Sequence, residues 1–210
     1  DSFSCGDDEM YDQEGNSYAT NMIGTQCWMK EDLATDEDEN GNALTSGVSG
    51  EYRTDGGDYF YTLDASLKVC PSGWHLATDS EWKTLESQLG MASSHLDALD
   101  WRGGEGNELE TEFDSSMPGH FNVDGNRDGI PDHHFWTSTL SGTGAFCASY
   151  AGGNPKDIIC YYDRQITNYS YPSGANDQIR RLKRDTGEPN DYLKLSVRCL
   201  KDGGGGGGSN

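Results

Sequence analysis

The sequence predicts an α+β chain with a modest core, and three observations carry that expectation. Thr78-Asp79-Ser80-Glu81 opens a run in which Trp82, Leu85 and Leu89 recur on one helical face. Residues 193–200 alternate like a strand, with Leu193, Leu195, Val197 and Cys199 on one face and Lys194, Ser196 and Arg198 on the other. From Trp101 onward, Gly, Asn, Asp and Pro punctuate short aromatic segments, which predicts a loop-rich β region.

Taken in chain order, Met10 to Leu33 reads as two strands and a turn. Asp12-Gln13-Glu14-Gly15-Asn16 supplies the turn chemistry, and Tyr18, Met22, Ile23, Cys27, Trp28 and Met29 supply β-type residues around Gly24. Residues 34–58 are acidic and rich in Gly and Ser, and read as a solvated loop. The run Asp36-Glu37-Asp38-Glu39 lacks the alternate-residue spacing of a metal loop. Thr62 to Val69 predicts a short helix with Leu63 and Leu67 on one face. In the next helix Thr78 is the N-cap and Glu81, three residues on, completes a capping box, with Gly90 as the stop. The segments around Phe113, Phe121, Phe135-Trp136, Phe146–Tyr150 and Ile158–Tyr162 follow as short pieces, and the alternating 193–200 strand closes the core. Gly203 to Gly208 is a flexible tail.

The chain of 210 residues has 36 Asp+Glu against 15 Lys+Arg, a net charge of −21, and only 33% hydrophobic residues. The usual apolar share is about 45–50%, so the core should be small for the length and assisted by cross-links. The acidic balance argues against nucleic-acid binding and against docking on an anionic membrane, both of which need clustered Lys/Arg. No apolar run reaches the ~18 residues of a membrane span, and the start reads as a mature N-terminus without a signal peptide. Cys5, Cys27, Cys70, Cys147, Cys160 and Cys199 form no C-x-x-C pair. Their even number and wide spacing predict three disulfides and an oxidising compartment, although sequence alone does not choose among the possible pairings.

The sharpest local motif is Asp124-Gly125-Asn126-Arg127-Asp128-Gly129-Ile130-Pro131-Asp132. Oxygen side chains at alternate positions, followed by glycine, are the first half of an EF-hand-type loop. Asp124, Asn126, Asp128, the Ile130 carbonyl and Asp132 would be ligands to Ca2+. The bidentate acid of a full loop is missing, since Phe135 stands at position twelve, and the motif resembles a shorter loop of the thrombospondin type 3 kind, which does without that acid. Among the histidines only His133 and His134 adjoin, and neighbours on a strand point to opposite faces, so they would not share a metal. Tyr161, Tyr162, Tyr169 and Tyr171 are candidates for ligand recognition, since amphipathic rings give contact area at low entropy cost. Arg180, Arg181, Lys183 and Arg184 form the basic island of an acidic chain. Its plain reading is a solvated turn, and its sharper one is contact with the acidic face of another copy. Asn168-Tyr169-Ser170 matches a glycosylation sequon.

Four segments in order resemble one family. They are Asp12–Tyr18 with Ile23-Gly24, Trp28-Met29 and Glu31-Asp32-Leu33; Tyr61-Thr62 with Cys70-Pro71-Ser72-Gly73-Trp74-His75-Leu76 through Trp82; Phe135-Trp136-Thr137-Ser138-Thr139; and Ser196-Val197-Arg198-Cys199-Leu200-Lys201-Asp202. Together they resemble the Fibrobacter succinogenes major paralogous (FISUMP) domain over residues 10–202, leaving 1–9 as an N-terminal extension and 203–210 as the tail. The chain departs from the family at Pro118-Gly119-His120-Phe121 and in an insertion at 122–132. The resemblance implies a C-type-lectin-like fold related to formylglycine-generating enzymes, with two helices packed on small antiparallel sheets and a long irregular loop region. It further implies Cys70–Cys199, Cys147–Cys160 and Cys5–Cys27 pairs. Formylglycine-generating enzymes use paired active-site cysteines. All six cysteines here have structural partners on that reading, and G-x-S-x-G, P-loop and H-E-x-x-H motifs are absent, so no enzyme is expected. The expectation is an extracellular or cell-surface bacterial module. It would recognise a glycan or surface protein through loops at about 101–190, or else assemble with copies of itself into a fibre.

Overall fold

The computed structural model describes residues 2–102, 112, 132–143, 159–167, 178–185 and 193–203. Within them the chain is predominantly β, with four small antiparallel sheets and two helices of 4 and 10 residues. The expected α+β, C-type-lectin-like arrangement with a long irregular loop region is therefore corrected. The helical signals were real but local, and the stretch expected to be loop-rich holds the longest strands.

The chain begins with β1 (Met10–Tyr11) and β2 (Ser17–Tyr18), joined through the predicted turn, where Gly15 takes φ 86°. β3 (Thr20–Ile23) and β4 (Gln26–Met29) follow as a hairpin, so Met10–Leu33 holds four strands rather than two. β5 (Tyr52–Asp55) and β6 (Asp58–Tyr61) form a second hairpin across Gly56-Gly57, both at positive φ as a two-residue turn of this kind demands. That hairpin reaches into the segment expected to be a solvated loop, and Thr35 and Leu44 of the same segment are buried.

α1 (Leu63–Ser66) is a single turn capped by Thr62. β7 (Trp74–Leu76) leads to α2 (Asp79–Gln88), whose capping box is present as expected. Glu81 N–H donates to Thr78 Oγ1 at 3.2 Å, and Thr78 N–H donates to Glu81 Oε2 at 2.7 Å. β8 (Asp100–Arg102), β9 (Asp132–Thr143), β10 (Ile159–Thr167) and β11 (Gln178–Asp185) make one sheet in the order β8-β11-β10-β9. β12 (Cys199–Lys201) lies between β4 and β7 in the sheet β3-β4-β12-β7.

This last sheet separates two apolar clusters, because alternate residues point to opposite faces. Cys27, Met29, Trp74, Leu76 and Cys199 enter one cluster, while Trp28 and Leu200 enter the other with Trp82, Leu85 and Phe135. β9 divides likewise, with Trp136 in the first cluster and Phe135 in the second, and its first six residues are all buried. Residues 193–200 are buried on both faces, Lys194, Ser196 and Arg198 included, and only the end of that stretch is ladder-paired as β12.

Buried charge joins the apolar contacts of Trp82 and Leu85 in fastening α2 to the sheet of β8–β11. Glu86, fully buried, accepts from Arg102 Nη2 and Arg164 Nε, each at 2.6 Å. Asp79 takes a bidentate pair from Arg181, both contacts 2.8 Å. Burial alone would raise the Asp79 carboxyl, but Arg181 and Arg164 hold it well below the usual carboxylate range. The Cys5–Cys27 and Cys70–Cys199 disulfides match the expected pairs. Cys160 is also disulfide-bonded, while Cys147 lies outside the described residues. No helix is long and apolar enough to cross a membrane among the described residues.

Candidate functional site

A cleft of about 180 Å³ opens where three parts of the chain converge. Glu31–Ala34, just past β4, forms one wall. Gly57, Asp58 and Tyr59, from the turn and start of β6, form the other. His133 of β9 and Arg198 just before β12 close it. The walls are held from behind. Leu33 N–H donates to the Val197 carbonyl at 3.0 Å, Thr35 N–H donates to the Tyr61 hydroxyl at 2.9 Å, and Tyr61 exchanges two backbone hydrogen bonds with Leu195. Tyr59 stacks on Tyr52 with ring centroids 5.6 Å apart and planes within 4°.

At the closed end Asp32 is gripped from both sides. Its Oδ1 accepts from Arg198 Nε at 2.6 Å, and its Oδ2 lies 2.7 Å from His133 Nε2. Arg198 also donates to the Lys30 carbonyl and lies over the Phe135 ring. Burial would raise the Asp32 carboxyl, yet the facing His133 and Arg198 hold it well below the ordinary range. Burial lowers the His133 imidazole against the pull of Asp32. Arg198 is the permanent cation beside Asp32.

Glu31 differs from Asp32. Its Oε2 is buried and has no hydrogen-bond partner. A buried acceptor left unmade costs about 1–3 kcal/mol, and this oxygen is closed off from the open space of the cleft. The volume sets what the cleft can admit. A water takes about 30 Å³ and drug-sized pockets span about 300–1,000 Å³, so the cleft admits one side-chain- or ring-sized group.

The residues singled out from sequence fall elsewhere. Asp124, Asn126, Asp128 and Ile130 lie outside the described residues, as do Tyr169 and Tyr171. Asp132 opens β9 fully buried. Its Oδ2 accepts from Gln165 Nε2 at 2.5 Å and lies 3.1 Å from His134 Nε2. Among the described residues no group of three or more His, Cys, Asp or Glu is placed to hold a metal ion. His133 and His134 point apart, as strand geometry requires, the first to Asp32 and the second to Asp132.

Tyr161 and Tyr162 are both half-buried, Tyr162 beneath the Arg181 guanidinium at 3.9 Å. The basic island is largely engaged within the fold. Arg181 is buried on Asp79, and Arg180 bonds Asp100 at 2.6 Å and lies over Trp101. Lys183 is half-buried, and Arg184 pairs opposite Tyr161 in the β10–β11 ladder.

Sequence reasoning passed over the cleft because Asp58 closed an acidic loop, Tyr59 followed directly after it, and Arg198 stood on a polar strand face. The available signal was the pairing of an acid in the Glu31-Asp32-Leu33 motif with the arginine of the Ser196–Asp202 motif. No curated protein and no solved structure matches the chain. The family described as the Fibrobacter succinogenes major domain matches residues 22–201, a span that contains the first of those motifs, the second as far as Lys201, and every described wall of the cleft. On that match the chain belongs to the Fibrobacter succinogenes major domain family.

Proposed function

We propose that this protein is a non-catalytic recognition module of the cell surface or extracellular space. In this reading it holds one side-chain- or ring-sized, donor-bearing group of a glycan or surface protein in the cleft. The observation that carries the reading is a cleft of about 180 Å³ whose lining joins the Tyr59 ring to the carboxylates of Glu31, Asp32 and Asp58. The aromatic wall would supply contact area and the acids would orient a donor-bearing group. His133 brings part of the 101–190 stretch to the same site.

The reading without catalysis is supported by the commitment of Asp32 and His133 to each other. The disulfides suit an oxidising compartment. Assembly through the basic island has less support, since Arg180 and Arg181 are already paired inside the fold.

The test is an array of glycans and surface proteins probed with the wild type, Tyr59→Ala and Glu31→Ala. Hits should weaken at least tenfold in both variants while the folded state, followed by circular dichroism, stays intact. Hits indifferent to both substitutions would move recognition away from the cleft and sink the proposal, as would turnover of a bound ligand.

A further inference from the structure

We propose that the segment before β1 is a redox-released strap. A thiol reductant opens the Cys5–Cys27 bridge and detaches residues 3–8 from Trp74, while the Cys70–Cys199 bridge stays closed and the rest stays folded. The family match begins at residue 22, so the strap lies outside the matched span and is bridged into it at Cys27.

The strap holds its own shape. The Ser4 carbonyl accepts from the Asp8 and Asp7 amides at 2.8 and 3.2 Å, and the Asp8 and Asp7 carboxylates accept from the Ser4 amide and hydroxyl at 2.6 and 2.8 Å. Its hold on the sheet β3-β4-β12-β7 is slighter. Phe3 meets Trp74 edge-on with centroids 5.8 Å apart, and the Lys201 ammonium lies over both rings at 4.5 and 5.3 Å. The Thr20 hydroxyl accepts from the Gly6 amide at 2.9 Å and donates to the Asp8 carbonyl at 2.6 Å. Those two hydrogen bonds are only partly buried, and Phe3 stays exposed. Ordering one backbone residue costs at least as much as a net hydrogen bond returns, so these contacts do not hold the segment unaided. The bridge does, by keeping residues 3–8 at high effective concentration over Trp74.

Access decides which bridge opens. Cys5 is partly exposed, whereas Cys27, Cys70 and Cys199 are buried. An attacking thiolate therefore reaches Cys5 and neither end of the second bridge while the fold is intact. Attack on the Cys5 sulfur forms a mixed disulfide and expels Cys27 as a thiolate, which takes up a proton. The second thiol of a dithiol then displaces Cys5 as a thiol, and the reagent leaves as a cyclic disulfide, its electron pair having passed to the protein. Release takes Phe3 away from Trp74 and Lys201, so the redox state sets whether that side of the sheet is covered.

The experiment treats the folded full chain at about pH 8 with a graded dithiothreitol series, alkylates the thiols that appear and maps them by mass spectrometry. Cys5 and Cys27 should be alkylated at concentrations at least tenfold below those that open Cys70–Cys199. Nuclear magnetic resonance of the same samples should lose the ring-to-ring Overhauser effects between Phe3 and Trp74. The Gly6 amide should exchange at least tenfold faster, while the Leu195 and Tyr61 amides, paired to each other's carbonyls, stay protected. Cys5→Ala/Cys27→Ala should show the released strap without reductant. Oxidised Phe3→Ala should keep the Gly6 amide protected, because its bridge is intact. Oxidised glutathione added to the reduced wild type should restore the ring contact.

Opening of both bridges together would overturn the selectivity on which the proposal rests. A Phe3–Trp74 contact that persists once Cys5–Cys27 is open, in the reduced protein or the double variant, would overturn the release. Loss of protection at Leu195 and Tyr61 along with Gly6 would overturn it as well, since the bridge would then support the whole fold. Release in oxidised Phe3→Ala would overturn the bridge as the fastening, and a contact that glutathione does not restore would overturn the switch.

Discussion

Individual residues in this protein are constrained most where a charge is buried. Glu86 is fully buried and balances two guanidiniums, Arg102 and Arg164, whose side chains are themselves inaccessible. Removing one member of such a group leaves the others charged and desolvated, which costs about 3–5 kcal/mol. Glu86→Ala should therefore lower the unfolding free energy by that amount in urea titrations, whereas the exposed Glu39→Ala should change it by less than about 0.5 kcal/mol. Gly50 is constrained by space instead. A Cβ built there would lie 2.5 Å from the Ser46 carbonyl carbon and oxygen, and backbone cannot step aside as a flexible side chain can. Gly50→Ala should cost about 1–3 kcal/mol, read from the same titrations. Composition flags neither position: one is an acid in an amphipathic helix, the other a glycine among many.

At the scale of elements, α2 shows how a local signal acquires a tertiary use. Glu81 closes the capping box and also meets His75 of β7, whose Nε2 lies 3.0 Å from Glu81 Oε1 while Nδ1 lies 2.5 Å from Asp202 Oδ1. The hydrogen bond to Glu81, opposed by partial burial and reinforced by Asp202, raises the His75 imidazole above its ordinary value. A raised folded value means the folded state binds the proton more tightly than the unfolded chain. The stabilisation is therefore fully present below the unfolded value of about 6.5 and is lost as pH rises through the raised one. His75→Gln should flatten that part of the stability profile. Unfolding midpoints compared between about pH 5.5 and 8.5 check it, and an unchanged wild-type slope in the variant would remove His75 from the account. Thr78→Ala should cost about 1 kcal/mol by opening the cap.

At the scale of the whole molecule, a thin apolar inventory is divided between two clusters on either side of one sheet, and cross-links and buried ion pairs bind the parts. The Cys70–Cys199 bridge spans a sequence separation of 129 and Cys5–Cys27 one of 22. In the chain-entropy account these contribute about 5 and about 3 kcal/mol, against a typical domain stability of about 5–15. A Cys70→Ala/Cys199→Ala double variant should thus lose more stability than Cys5→Ala/Cys27→Ala in urea unfolding, and the reverse order would argue against loop closure as the source.

By itself the sequence determined the features that depend on neighbours along the chain and on family motifs. The capping box of α2 and the Gly15 turn are short-range matters of hydrogen bonding and φ, so Thr78, Glu81 and Gly15 announce them, whereas the helix expected over Thr62–Val69 shortens to the single turn Leu63–Ser66 with Leu67 exposed. The Cys5–Cys27 and Cys70–Cys199 pairs were legible through the resemblance, which the match over residues 22–201 bears out.

Tertiary structure decided the balance of the fold and the site. Asp163, Arg164, Arg181 and Arg198 look like solvated residues to any hydropathy reading, yet all are buried, three of the four facing an opposite charge far away in the chain, and they make β10 and β11 part of the interior. Asp32 and Arg198 are 166 residues apart, and no periodicity records that they meet. The cleft exists because those long-range pairs bring Glu31, Tyr59 and His133 to one place. A buried charge is tolerable only where the fold supplies its partner, and that partner is a property of the folded chain.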